Sequence, residues 1–367
     1  MYSAGGQNSI KNIYAITAIL ICIGIIMVYS SSSIFAYEKF HDSAYYLKRH
    51  FFYLIFGLIL ALLAMSFDYR KLQKFSKPLL CFSVLLLVII LLKGREIGGA
   101  KRWFRLGQFS FQPSELAKIA LIIYLSDVLT RKQARITNFF EGFLPPAMAA
   151  GIIILLVLLQ PDLGTSIAVA VITAIIFFVA GIRARYLIAS VLGLLPVLYI
   201  AIFSAAYRRR RILAFLNPWQ DPRGVGFQVI QSFLALGSGG LFGVGLGQSG
   251  QKLFYLPESH TDFIFSIIGE ELGFVGTASI LILFILFLWQ GMKVAFNCPD
   301  LFGRFLSLGI VSMITLEALI NIGAGTGAIP TKGLPLPFIS YGGTSLMFHV
   351  ASVGILLNVA KSIKERL

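Results

Sequence analysis

Runs of apolar residues about as long as a bilayer is thick recur along the whole chain. A hydrocarbon core of ~30 Å takes about 20 such residues as a helix. Runs of this kind fall near 13–35, 51–67, 79–93, 114–129, 143–159, 163–182, 186–206, 264–291, 305–325 and 344–360, the third and fourth being short. They predict an all-α integral membrane protein with about ten transmembrane helices and both termini on one side. One polytopic membrane domain over 1–367 is expected, with long outer loops at about 93–113 and 207–263. The second is a large extracytoplasmic loop between helices 7 and 8. Loops of that size between spans are usually functional. The polar stretch Met1–Asn12 leads into an apolar run without a small-residue cleavage site, so that run reads as a retained helix and not a signal peptide. No repeat of 20–50 residues is evident.

Composition agrees with the pattern. Hydrophobic residues make up 57% of 367 and charged residues 13%, with a mean hydropathy of +0.84. A soluble domain carries about 25% charged residues, so most of this chain must sit where apolar surface is tolerated on every side of a helix. Cys22, Cys81 and Cys298 show no paired spacing and lie in or beside apolar runs. Neither a disulfide framework nor a cysteine metal site is expected from them.

Lys and Arg in short loops set orientation. With the N-terminus inside, inner and outer segments each hold 15 of them. Setting the two long loops aside leaves 15 inside against 4 outside. About eleven outer cations are then unexplained by topology, and excess cation on an outer surface asks for an anionic ligand. The formal charge of +15 also suits anionic lipid headgroups.

Four stretches carry candidate chemistry. In the first, Lys101-Arg102-Trp103-Phe104-Arg105 precedes Gln112-Pro113-Ser114-Glu115-Leu-Ala-Lys118. Pro113 stands where a helix would start, Glu115 falls in its first turn, and Lys118 follows at i+3. Either this is a capped helix with an ion pair and a snorkelling Lys, or Arg102, Arg105 and Lys118 meet a phosphate, since an ionisable residue at membrane depth is a site candidate.

The second stretch opens with Tyr207 and Arg208–Arg211 and continues through Asn217-Pro218-Trp219 to a glycine run from Gly237 to Gly247. No Gly-Lys-Ser/Thr follows, so a P-loop is rejected. The bland reading is close backbone packing for the glycines and headgroup contacts for the arginines. The third runs Pro257-Glu258-Ser259-His260-Thr261-Asp262-Phe263 into an apolar helix. Asp262 is expected to open that helix, with Ser266, Gly269 and Gly273 on its face and Glu270 and Glu271 about two turns in. Asp262 is either an N-terminal cap or a reactive carboxylate, and the two glutamates read as structural hydrogen-bond acceptors. The fourth, Asn321 to Ser345, holds Pro330, Pro335 and Pro337 among many glycines. It breaks the chain at the interface, which is tolerated only where backbone is buried in protein or lines a cavity.

Together Arg102–Lys118, Phe215–Gly273 and Asn321–Ser345 resemble the SEDS family of bacterial wall synthases over essentially the whole chain. Asn217-Pro218-Trp219 and the Gln251–Tyr255 lead into Pro257 look more like the division-type members than the rod-elongation type. Thr344 stands where Ser is common, which keeps the hydroxyl. Glu317 sits mid-helix where an amide would be expected, and the resemblance carries no role to it.

The resemblance implies ten helices, cytoplasmic termini, and peptidoglycan glycosyltransferase activity on lipid II. The site would lie on the outer face of the bacterial cytoplasmic membrane, at the division septum. Asp262 would be the essential acid residue. The candidates for substrate binding are Arg102, Arg105, Glu115, Lys118, Arg210, His260, Lys332 and Ser340. Expected partners are lipid II and the growing lipid-linked glycan, membrane lipids, a monofunctional class B penicillin-binding protein (a transpeptidase) and other division proteins. No nucleic-acid partner is expected.

A pyrophosphate leaving group is stable as an anion, so the reaction needs no general acid, unlike a two-carboxylate glycosidase. One base to take the hydroxyl proton suffices. Asp262 is the candidate base, and cations would stabilise the pyrophosphate. No cofactor is required; a divalent cation (Mg or Mn) bridging Asp262 and the pyrophosphate is the other arrangement, in which Asp262 is a metal ligand, although no ligand cluster demands one. The competing functions are a lipid II flippase and a division-complex scaffold. A transporter shows two interrupted helices in corresponding halves, whereas the sequence shows one strong interruption and no repeat.

Overall fold

The structure, a computed structural model, describes residues 3–94, 101–106, 109–203, 209–210, 214–224, 226–253, 255–331 and 333–364. The helices are α1 (Ser3–Phe40), α2 (Tyr45–Ser66), α3 (Leu72–Lys93), α4 (Pro113–Arg131), α5 (Leu144–Leu159), α6 (Leu163–Ala180) and α7 (Ala184–Phe203). They continue with α8 (Phe227–Ser238), α9 (Ile264–Asn297), α10 (Leu301–Gly325) and α11 (Thr344–Lys364). Among the described residues eight helices are long and apolar enough to cross a membrane. With α4 and α7, of 19 and 20 residues, they make up the expected set of about ten.

α4 carries four charged residues, Glu115, Lys118, Asp127 and Arg131. Such a helix must keep its ionisable groups off the lipid, and Glu115, Lys118 and Asp127 are all buried. α10 is the axis of the bundle: 83% of its apolar stretch is buried, against 22% for α3. α2 and α11 pack closely through small residues, since Gly354 lies so near the Ala61 backbone that a Cβ would not fit. Asn358 of α11 also closes the C-terminal end of α2, donating to the carbonyls of Ala64, Met65 and Phe67 at 3.1, 3.0 and 2.7 Å.

Three features escape the hydrophobic pattern. The 93–113 loop contains a two-stranded hairpin, β1 (Phe104–Leu106) against β2 (Phe109–Phe111). Tyr53 Oη donates to the Ser110 carbonyl at 2.9 Å, and Thr344 Oγ1 accepts from Gln112 N at 3.2 Å. The hydroxyl of Thr344 thus holds the hairpin's exit to α11. The 207–263 loop contains α8, whose Ser232 bonds Ser266 of α9 and the Gly325 carbonyl of α10, both at 2.6 Å.

The third feature is a break inside α9, where Gly273 takes φ 67 and ψ −162. A break at membrane depth frees carbonyls and amides that lipid cannot satisfy. The glycine run supplies their partners. Val244 N and Gly245 N donate to the carbonyls of Glu270 and Glu271 at 2.9 and 3.1 Å. Phe274 N and Val275 N donate to the carbonyls of Gly240 and Leu241 at 2.9 and 3.1 Å. Glycine is required for this approach, because a Cβ on Gly239 or Gly243 would collide with the α9 backbone. The chain therefore has a second interrupted helix, but its gap is filled by the protein's own backbone.

Candidate active site

Asp262 stands just ahead of α9. The expectation that it opens the helix is corrected: the N-cap position is Phe263 and the helix starts at Ile264. The difference arises because the loop is held from the other side, by the broken segment between α10 and α11. Three successive carbonyls of the loop each receive one donor from that segment or from α10. Tyr341 N donates to His260 O at 2.9 Å. Ser340 Oγ donates to Thr261 O at 2.6 Å, and Asn321 Nδ2 donates to Asp262 O at 3.0 Å. Asn321 Nδ2 also reaches Leu334 O at 2.7 Å, and Leu336 N donates to Ser340 Oγ at 2.9 Å. The Asp262 carboxylate is partly exposed. It faces Gly333, where an added Cβ would lie 3.4 Å from Oδ2, so a glycine keeps that side open.

His260 is buried between rings. Its centroid lies 4.4 Å from Tyr46, 5.9 Å from Tyr341 and 6.0 Å from Phe35. Burial lowers its pKa to about 4, against which Glu258 pulls upward. The imidazole is therefore neutral at physiological pH. The loop is also tied to α1, Ser259 Oγ donating to Ser31 O at 3.3 Å.

Glu270 and Glu271 hold the loop before Asp262 in place. Glu270 accepts from Gly250 N at 2.9 Å and from Ser249 Oγ. Glu271 accepts from Lys252 Nζ at 2.8 Å and from Ser30 Oγ at 2.7 Å. All these acceptor contacts lie within the protein, since Glu270, Glu271 and Lys252 are buried.

Lys118 lies in a buried network of five helix-borne side chains. Its ammonium is 3.0 Å from Glu115 on its own helix and pairs also with Glu317 of α10. Glu317 Oε2 lies 2.8 Å from His349 Nε2 of α11, and His349 Nδ1 lies 3.3 Å from Ser345 Oγ. Glu317 and Asn321 are one turn apart on α10. One face of a single helix thus touches both the Lys118 network and the Asp262 loop.

The other candidates are spread more widely. Arg102 is engaged with main-chain carbonyls at the α5–α6 turn, Gln160 O at 3.0 Å and Pro161 O. Arg105 is exposed on β1, and Arg210 is exposed in the long loop. Lys332, Arg208 and Arg211 lie outside the described residues. The hydroxyl of Ser340 is committed to the chain itself, as given above. Sequence reasoning missed Glu317, His349 and Asn321 as participants. The one local signal was the spacing of Glu317 and Asn321 at i and i+4. Among the described residues no group of three or more His, Cys, Asp or Glu side chains is gathered as a metal-ligand set.

Residues 11–365 match the family described as cell cycle protein, FTSW_RODA_SPOVE. The chain is 48% identical over 347 residues to the "probable peptidoglycan glycosyltransferase FtsW" of Geobacter metallireducens, covering 94% of this chain and 92% of the relative. It is 47% identical over 352 residues to stage V sporulation protein E of Bacillus subtilis, covering 94% and 95%. Among solved structures, a chain from work on the structural coordination of polymerization and crosslinking by a peptidoglycan synthase complex superposes with a TM-score of 0.79. It shares 33% identity, with 96% of this chain and 97% of that one covered. The crystal structure of Thermus thermophilus RodA superposes with a TM-score of 0.71 at 31% identity, over 95% and 96% of the two chains. Matched along nearly its whole length, the chain belongs to the FtsW, RodA and SpoVE family of cell cycle proteins.

Proposed function

We propose that this chain is a peptidoglycan glycosyltransferase of the FtsW type, polymerising lipid II at the outer face of the bacterial cytoplasmic membrane. The observation that carries the reading is the partly exposed Asp262 carboxylate beside Gly333, on a loop whose backbone is held at three successive carbonyls. Relatives described as peptidoglycan glycosyltransferases at 47–48% identity support it.

In the proposed step the acceptor's sugar hydroxyl gives its proton to the Asp262 carboxylate. The hydroxyl oxygen forms a bond to the donor's anomeric carbon. The bond from that carbon to the pyrophosphate oxygen breaks, and the polyprenyl diphosphate leaves with the electron pair. A positioned base of this kind contributes about 10²–10⁴-fold. Arg105 and Arg210, both exposed on the long loops, are available to the diphosphate, and Lys332 is retained as a candidate. Arg102 and Lys118 are paired within the protein, so their contribution is to shape the site and set its field. Should a divalent cation bind, Asp262 is the residue to hold it.

Two extensions rest on the division-type wording of the sequence and on the family: septal wall synthesis, and pairing with a membrane-anchored class B transpeptidase. The solved relative from a peptidoglycan synthase complex supports the second. The flippase reading has less support, because backbone from the glycine run fills the gap in α9. Purified protein given fluorescent lipid II, with and without a class B transpeptidase, tests the whole proposal. Gel-resolved polymer is expected, and its absence under both conditions would refute the activity.

A further inference from the structure

Asn321 and Ser340 are both nearly inaccessible, at 1% and 2% exposure, so neither is offered freely to a substrate. Each instead holds the backbone of the loop that carries Asp262. We propose that Asn321 and Ser340 are positioning residues that fix the Asp262 carboxylate by clamping the carbonyls of Asp262 and Thr261.

The chemistry of each contact is one-directional. Asn321 Nδ2 faces two carbonyl oxygens, Asp262 O at 3.0 Å and Leu334 O at 2.7 Å. Carbonyls only accept, so the amino side of the amide must face them, and this fixes its orientation. Ser340 Oγ acts both ways, accepting from Leu336 N at 2.9 Å and donating to Thr261 O at 2.6 Å. The main-chain bond from Tyr341 N to His260 O completes a row of three. Just ahead of the first turn of α9, which has no side-chain cap, this row fixes the loop through its carbonyls. A general base must be held within about 0.5 Å of its productive position, and misplacement by about 1 Å can cost roughly 10²-fold. The anchors themselves are secured: Asn321 rides on α10, the most buried of the eight candidate spans, one turn from the Glu317 ion pair.

This inference rests on the reading of Asp262 as the reacting carboxylate, and the experiment separates the two. Wild type, Asp262→Asn, Asn321→Asp, Ser340→Ala and Ser340→Thr are purified and assayed on lipid II. Asn321→Asp is isosteric but turns a donor into a charged acceptor facing two carbonyls. Ser340→Thr keeps the hydroxyl. The expected result is a kcat at least about tenfold lower for Asn321→Asp and Ser340→Ala, with KM within about twofold, and recovery of kcat in Ser340→Thr. Thermal melts give the folded fraction to which kcat is referred. Wild-type kcat per folded molecule in both variants, or a loss confined to KM, would overturn the positioning role even if Asp262→Asn is inactive. Full activity in Asp262→Asn would overturn the underlying reading instead. If Ser340→Ala does not fold, Asn321→Asp and Ser340→Thr still decide the matter.

Discussion

The Lys118 ammonium on α4 and the Glu317 carboxylate on α10 form an ion pair, although 199 residues separate them in the chain. Both side chains are almost wholly buried. Removing one partner from such a pair leaves an uncompensated charge, at a cost of about 3–5 kcal/mol. Lys118→Ala strands two carboxylates, those of Glu115 and Glu317, side by side. Glu115→Gln leaves Lys118 its second partner. A clearly lower melting temperature in detergent is therefore expected for Lys118→Ala than for Glu115→Gln; equal shifts would show that Glu317 carries no share of the pair.

Asp262→Asn should abolish polymer formation while leaving the protein inserted and folded. The helix cap is Phe263, so no capping bond is lost, and even an Asp-to-Asn change at a cap is close to neutral. An amide neither takes a proton at neutral pH nor carries the charge. Gel-resolved polymer from lipid II, beside a thermal melt, reads this directly. Near-normal polymer from a well-folded variant would place the chemistry elsewhere.

Two glycine substitutions should behave in opposite ways. Gly273 has a backbone conformation open almost only to glycine, costing about 1–3 kcal/mol for other residues. A Cβ there would also meet the backbone of Leu241 and Gly243. Gly273→Ala should lower yield and melting temperature severely. Gly151 in α5 has nothing within 4 Å of an added Cβ, so Gly151→Ala should be neutral or stabilising by up to about 1 kcal/mol. The pair is compared in one detergent by melting temperature; equal behaviour would argue against the patched break.

His260 predicts acid sensitivity. Its folded pKa of about 4 lies below the ordinary 6.5, so between these values the unfolded chain binds more protons than the folded one. The stability contributed is fully present above about pH 6.5 and is lost as pH falls toward 4. At about 1.4 kcal/mol per unit the loss is roughly 3 kcal/mol. His260→Phe keeps an aromatic ring but does not titrate. Melts across pH 4–7 should show a shallower slope for His260→Phe than for wild type, and identical slopes would discount the histidine.

Orientation is open to direct labelling. With inner loops at 68–78 and 130–142, an impermeant thiol reagent on intact cells should label Gln220→Cys and spare Lys74→Cys and Arg135→Cys. The reverse pattern would invert the topology.

Most of the fold is legible from residue periodicity. Pro113 at the start of α4, the run that becomes α10, and the proline and glycine break before α11 all follow from local chemistry. What escaped has a physical reason in each case. β1 and β2 are three residues each, too short for alternation to register. The break at Gly273 is invisible because the apolar pattern continues through it, and only a remote backbone makes it stable. The pairing of Lys118 with Glu115 follows from their i, i+3 spacing, yet its partner Glu317 and, beyond it, His349 come from other helices. No spacing along the chain announces such a contact. Asp262 itself stood out locally, while the donors that hold its loop lie 59 to 79 residues downstream.

The patched break in α9 also limits how this chain can vary. Residues 240–245 meet both sides of the gap through a fixed order of amides and carbonyls. Inserting or deleting one residue there would shift every later N–H off its carbonyl at once. The segment can therefore drift at exposed side chains such as Phe242, but its length is frozen. A connection that resembles a tolerant surface loop is in fact a spacer whose residue count is as constrained as that of a helix turn.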